Sequence, residues 1–202
     1  RPMSVESMAV THITNRMLEQ CEPFQGSTVH QDLAEKLPNH IMVAHNALFD
    51  IGMLEHEGLS VPQFICTLRV ARHLDKEAVI PRYNLQYLRY YLDLEPDITE
   101  PVQAHDAYGD IVVLEALFNR LYTKMKEAGE NEDGIIQNMV DISSRPSLIR
   151  KFTFGKHNGK TIAEVAQIDR GYLEWLYQQK QTSDQDEADW LYTLQNALGI
   201  EA

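Results

Sequence analysis

The sequence predicts an α/β layered domain followed by a small C-terminal module that is α+β or mostly helical. Two short apolar runs, Ile41-Met42-Val43-Ala44 and Phe64-Ile65-Cys66-Thr67, have the length and continuity of buried strands. Each leads directly into a stretch of helical spacing, and strands interleaved with helices build α/β layers. Polar breaks at residues 129–134 and at Arg145-Pro146 then set off a tail of short amphipathic stretches.

The elements follow in order. Thr14 is an N-cap for a helix over residues 15–20, and a second amphipathic stretch, 29–37, stops at Pro38. After the first strand, Phe49, Met53 and Leu54 give residues 47–57 a helical pattern that Gly58 closes, which delivers Asp50 into the helix's first turns. A basic helix through Arg69 and Arg72 follows the second strand, Leu85, Leu88 and Leu92 recur at helical spacing, and Pro96 and Pro101 bracket a loop. From Ala104 a long helix carries one apolar stripe, Ile111, Leu114, Leu117, Phe118 and Leu121. The expected division is a core over 1–126, a connector over 127–147 and an accessory module over 148–202, with helices at 162–166 and 186–198 in the last.

Composition narrows the function classes. With 44% hydrophobic and 24% charged residues the chain is ordinary for a soluble protein. No apolar run approaches the ~20 residues of a membrane span, and no signal-peptide h-region opens it. Cys21 and Cys66 form neither a disulfide framework nor a metal-ligand pattern, so a reducing, cytoplasmic setting is expected. A net charge of −12 argues against coating nucleic acid by general electrostatics, but not against handling a nucleic-acid end with clustered carboxylates and local basic patches.

The chemistry-bearing segments are Ala44-His45-Asn46-Ala47-Leu48-Phe49-Asp50 and His105-Asp106-Ala107-Tyr108-Gly109-Asp110. Each sets an aspartate into a helix that otherwise buries apolar side chains. Carboxylates without clustered cysteine or histidine suit hard cations, Mg²⁺ or Mn²⁺. Two such ions can activate a water and stabilise the leaving oxygen of a phosphodiester, and a histidine is a sensible base at neutral pH. Either segment alone reads as a helix cap or a structural histidine; their order and context favour chemistry.

The two segments resemble the second and third motifs of the DnaQ-like (DEDDh) 3′→5′ exonuclease superfamily, whose core is ribonuclease H-like. Within it the chain looks most like the exodeoxyribonuclease X branch, through Ile65-Cys66-Thr67, Asp141-Ile142-Ser143-Ser144-Arg145-Pro146-Ser147-Leu148, Phe152-Thr153-Phe154-Gly155-Lys156 and Gly171-Tyr172-Leu173-Glu174-Trp175-Leu176. The resemblance implies release of 5′-mononucleotides by two divalent ions, with DNA as the partner, as single strands or 3′ ends. Asp50 and Asp110 would be metal ligands and His105 the general base, with His45, Asn46, Phe49, Arg69, Arg72, Lys156 and Lys160 contacting substrate. Arg82 is a further candidate for a phosphate.

One departure stands out. The family's first motif, Asp-x-Glu, belongs upstream of these segments, and the match here, Asp75-Lys76-Glu77, has the wrong order and context. Two strands are also too few for a sheet core. Both observations lead to the expectation that roughly 25–40 residues of the complete domain precede Arg1, and that the chain alone binds metal weakly and has little activity. The alternatives are an inactive nucleic-acid-binding remnant and an RNA exonuclease. In the tail, Gly155-Lys156-His157-Asn158-Gly159-Lys160-Thr161 is one residue short of a phosphate-binding P-loop and lacks its strand, so nucleotide binding there is rejected.

Overall fold

A computed structural model of the chain describes residues 2–94, 107–183 and 187–200. The first helices are α1 (Val5–Thr11), α2 (Asn15–Leu18) and α3 (Thr28–Lys36), each begun by a hydroxyl cap from Ser4, Thr14 and Ser27. Strand β1 (Met42–Ala44) runs into α4 (Ala47–His56), and β2 (Phe64–Cys66) into α5 (Thr67–Leu74). The strands are parallel, in register Met42 to Phe64 and Ala44 to Cys66. A parallel pair needs a crossover, and α4 supplies it. Its inner face is small and apolar: Ala47 and Ile51 are buried with Cys66.

Next come α6 (Leu85–Tyr91), α7 (Ala107–Glu127) and α8 (Glu132–Ser143). The principal core lies among them and α5, with Ile65, Val70, Leu88, Leu117, Met125, Ile135 and Met139 all within 1% of full burial. The apolar stripe of α7 differs from the expected one. Gly109, Val113, Leu117, Leu121 and Met125 are the buried i, i+4 series, whereas Ile111 is 61% exposed. The long helix is apolar on more than one side, so periodicity alone could not choose which side faces inward. The loop expected between Pro96 and Pro101 lies outside the described residues.

The connector expected over 127–147 is mostly not a connector. It holds α8, whose Ile135, Met139 and Ser143 are buried in the principal core. Ser143 also closes the sheet edge: its hydroxyl accepts from the Cys66 backbone N–H at 2.8 Å and donates to the Met139 carbonyl at 2.6 Å. One outward N–H of the β2 edge is thereby satisfied by α8.

The tail packs α9 (Ile162–Ile168), α10 (Arg170–Gln181) and α11 (Ala188–Leu198) around Phe152, Val165, Leu173 and Leu194. A single antiparallel bridge, Lys151 to Thr161, closes the segment that held the P-loop-like glycines into a short loop. Thr161 then caps α9 reciprocally with Glu164. The segment is thus a short loop that leads into a capped seven-residue helix.

Candidate active site

The turn from β1 to α4 is set by Asn46, which sits in the left-handed region at φ 67° and ψ 46°. Asparagine tolerates that conformation better than other residues with a Cβ. The turn places Asp50 on the solvent side of α4's first turn. Partial burial of the carboxyl pushes its pKa up, against a hydrogen bond from its own backbone N–H that lowers it.

His45 is expected to touch substrate, but both ring nitrogens are used within the fold. Nε2 lies 2.6 Å from the Tyr83 carbonyl, and Nδ1 lies 2.9 Å from the hydroxyl of buried Thr67. Burial pushes the imidazole's pKa down; the Tyr83 carbonyl opposes this and nearby Arg72 adds to it. A carbonyl can only accept, so Nε2 donates to Tyr83, while the Thr67 hydroxyl beside Nδ1 also lies 3.3 Å from the Ala44 carbonyl, to which it donates. The ring ties the carboxyl end of β1 to the start of α5 and to the segment before α6.

That segment reaches the third motif as well. Asn84 caps α6 by accepting from Tyr87 N–H at 2.8 Å, and Gln86, one turn in, donates to Asp110 Oδ1 at 2.5 Å. Asp110 lies in the first turn of α7. Residues 83–86 thus join the second and third motifs through His45 at one end and Asp110 at the other. Tyr83, Asn84 and Gln86 are absent from the sequence-based expectations and Thr67 has no site role there, because nothing local distinguishes them from ordinary caps and helix residues. His105 lies outside the described residues.

The other expected contacts divide. Asn46 and Phe49 line a cleft of about 450 Å³ beside Leu48 and Trp190, and Phe49 is 68% exposed. Arg69 also borders this cleft, but it is buried, donating to the Ser143 carbonyl at 2.7 Å and paired with Asp189 at 2.9 Å. Arg72 is half-buried and held by the same carboxylate at 2.7 Å, with its guanidinium 5.8 Å from the Tyr83 ring centre. Lys156 is exposed but paired with Asp169 at 2.6 Å, and Lys160 is exposed at the loop. Asp75, of the out-of-place Asp-x-Glu, is turned inward. It accepts from Val79 and Ile80 N–H and from the Tyr83 hydroxyl at 3.0, 2.9 and 2.6 Å, a loop-holding role.

Among the described residues, no three His, Cys, Asp or Glu side chains converge as a metal site. The oxygen donors Asp50 and Asp110 suit a hard cation, which commonly takes one or two carboxylates and completes its shell with water and substrate phosphate. They do not by themselves make a two-ion cage.

Open α/β sheets bind their ligands outside the carboxyl ends of the strands, and His45 and Asn46 follow β1 at that end. The chain belongs to the exonuclease family: the family model described as Exonuclease matches residues 1–118, and that described as Exodeoxyribonuclease X-like C-terminal matches residues 152–181. It is similar to exodeoxyribonuclease 10 of Escherichia coli K12, 32% identical over 180 residues that cover 88% of this chain and 72% of that protein. The same figures hold for the protein of that name from Escherichia coli O6:H1. The structure resembles one described as exonuclease X in complex with 5′ overhanging duplex DNA, with TM-score 0.52 and 26% identity, covering 71% of this chain and 75% of that one. The core is accordingly the ribonuclease H-like exonuclease fold, here with two strands among the described residues. No helix among them is long and apolar enough to cross a membrane.

Proposed function

We propose that this protein is a 3′→5′ exodeoxyribonuclease that hydrolyses terminal phosphodiesters with divalent metal ions and releases 5′-mononucleotides. The observation that carries this reading is the hydrogen-bonded path from His45 through residues 83–86 to Asp110, which ties both motifs to one end of the sheet. Asp50 and Asp110 would hold Mg²⁺ or Mn²⁺, which when bound polarises the phosphoryl oxygen and lowers the pKa of water. Gln86 orients Asp110 by occupying one of its oxygens. His105 is assigned to accept the proton of the attacking water. Asn46 and Phe49 position the terminal nucleotide in their cleft. The functional division we infer is a nuclease core that extends through α8, and an accessory module from residue 148.

Two carboxylates alone predict weak metal binding for the 202-residue chain. Hydrolysis is measured with Mg²⁺ or Mn²⁺ and 3′-labelled single-stranded DNA. Release of labelled mononucleotide, abolished by EDTA and reduced at least ~10²-fold in Asp110→Asn, is expected for a group in the reacting centre. An Asp110→Asn protein that retains wild-type rate would remove that residue from the chemistry.

A further inference from the structure

The tail and the core enclose a second cleft of about 580 Å³. Four cations line it, Arg72, Arg82, Arg150 and Lys151, and no carboxylate is among its described lining residues. In a chain of net charge −12 this is a local reversal of sign, which attracts anions by focusing the field in a concave surface. Asp189 does not cancel it, since that one carboxylate is shared by the two guanidiniums of Arg69 and Arg72. Arg150 donates to the Arg72 carbonyl at 3.2 Å, a neutral acceptor, and makes no ion pair among the described residues.

An aromatic face accompanies the cations. Phe154 lines the cleft and is 41% exposed. It is fixed edge-to-face on Trp190 at 5.5 Å and against buried Phe152 at 6.1 Å. A ring held in place by two others and still open to solvent is a stacking platform with little entropy left to lose. Cations for phosphates beside an aromatic for bases is the combination that grips an unpaired strand. The neighbouring cleft that contains Asn46 and Phe49 shares Leu68 and Trp190 with this one, so a strand lying here continues toward the second motif.

We propose that the cleft between core and tail, with Arg82, Arg150 and Lys151 as phosphate contacts and Phe154 as stacking platform, is a holding site for single-stranded DNA away from the reacting end. The inference rests on reading the chain as a DNA exonuclease. Its test needs no hydrolysis, so the two can fail separately.

The test is fluorescence anisotropy of a labelled oligothymidylate with the 202-residue chain in EDTA, over a series of salt concentrations. The wild-type chain binds at low salt and weakens as salt rises. Arg82→Gln with Lys151→Gln makes the slope of log affinity against log salt shallower by about 1.4, at about 0.7 per single-strand phosphate contact. Phe154→Ala weakens binding roughly five- to 150-fold, the range for losing one stacked base, and leaves the slope unchanged. Lys36→Gln with Lys126→Gln, both exposed and outside this cleft, leaves affinity and slope at wild-type values. A wild-type slope in the Arg82/Lys151 variant overturns the proposal, as does no binding by the wild-type chain at low salt. Because Phe154→Ala could loosen Trp190, the Arg82/Lys151 pair carries the decision if that variant unfolds.

Discussion

At the scale of single residues, the site depends on backbone conformation as much as on carboxylates. Asn46 holds a left-handed turn that an alanine would occupy at a cost of about 1–2 kcal/mol, whereas glycine bears no such penalty. Asn46→Ala is therefore expected to lower stability by about that amount in urea titration and Asn46→Gly by only a few tenths of a kcal/mol. Both lose the amide, so equal losses of DNA affinity in the two variants would mark a contact to substrate rather than a role in the turn. Asp50 and Asp110 were legible because strand, turn and helix signals surround them. Gln86 was not, because its partner lies 24 residues away and nothing in its own neighbourhood asks for an amide. His45 and Arg69 were legible as chemistry-bearing side chains, but their burial and internal partners follow from tertiary packing, to which local patterning is blind.

At the scale of elements, the start of α10 shows how a helix end gathers charge. Asp169 accepts from Tyr172 N–H at 3.3 Å as its cap, and also bonds Lys156 at 2.6 Å and His157 at 2.9 Å. Lys156 first, then His157, draws its pKa down to about 2. An unfolded aspartate titrates near ~3.9, so the unfolded chain binds more protons between those values. The contribution is thus fully present above about pH 4 and is lost as pH falls toward about 2. Asp169→Asn is expected to flatten that part of a plot of Tm against pH and to lower Tm at neutral pH. An unaltered acid limb would contradict this account of the cap. Most helices were readable from caps and spacing, since Thr14, Pro38 and Gly58 act locally. The inward side of α7 and the place of α8 were not, because both are decided by what packs against them.

At the scale of the molecule, one carboxylate joins the two modules. Asp189 of α11 pairs with Arg69 and Arg72 of α5 and accepts from Ser147 through both N–H and hydroxyl at 2.9 Å. Arg69 is 4% exposed, so removing its partner strands a buried charge. Breaking a buried pair in this way typically costs about 3–5 kcal/mol, and Asp189→Asn is expected to lose stability on that scale in urea denaturation. A change below about 1 kcal/mol would mean that the modules dock without the clamp. The α/β class and the tail were readable from strand and break signals. Their joint was not, because Arg72 and Asp189 are 117 residues apart and each alone looks like solvated surface.

The central claim is direction of attack at a DNA end, and end-labelling tests it most directly. With Mg²⁺ and a single strand labelled at its 5′ terminus, the protein should produce a ladder of labelled fragments that shorten one nucleotide at a time, with labelled mononucleotide only at the end. Immediate release of labelled mononucleotide, or one cut at an internal position, would contradict the 3′→5′ exonuclease account.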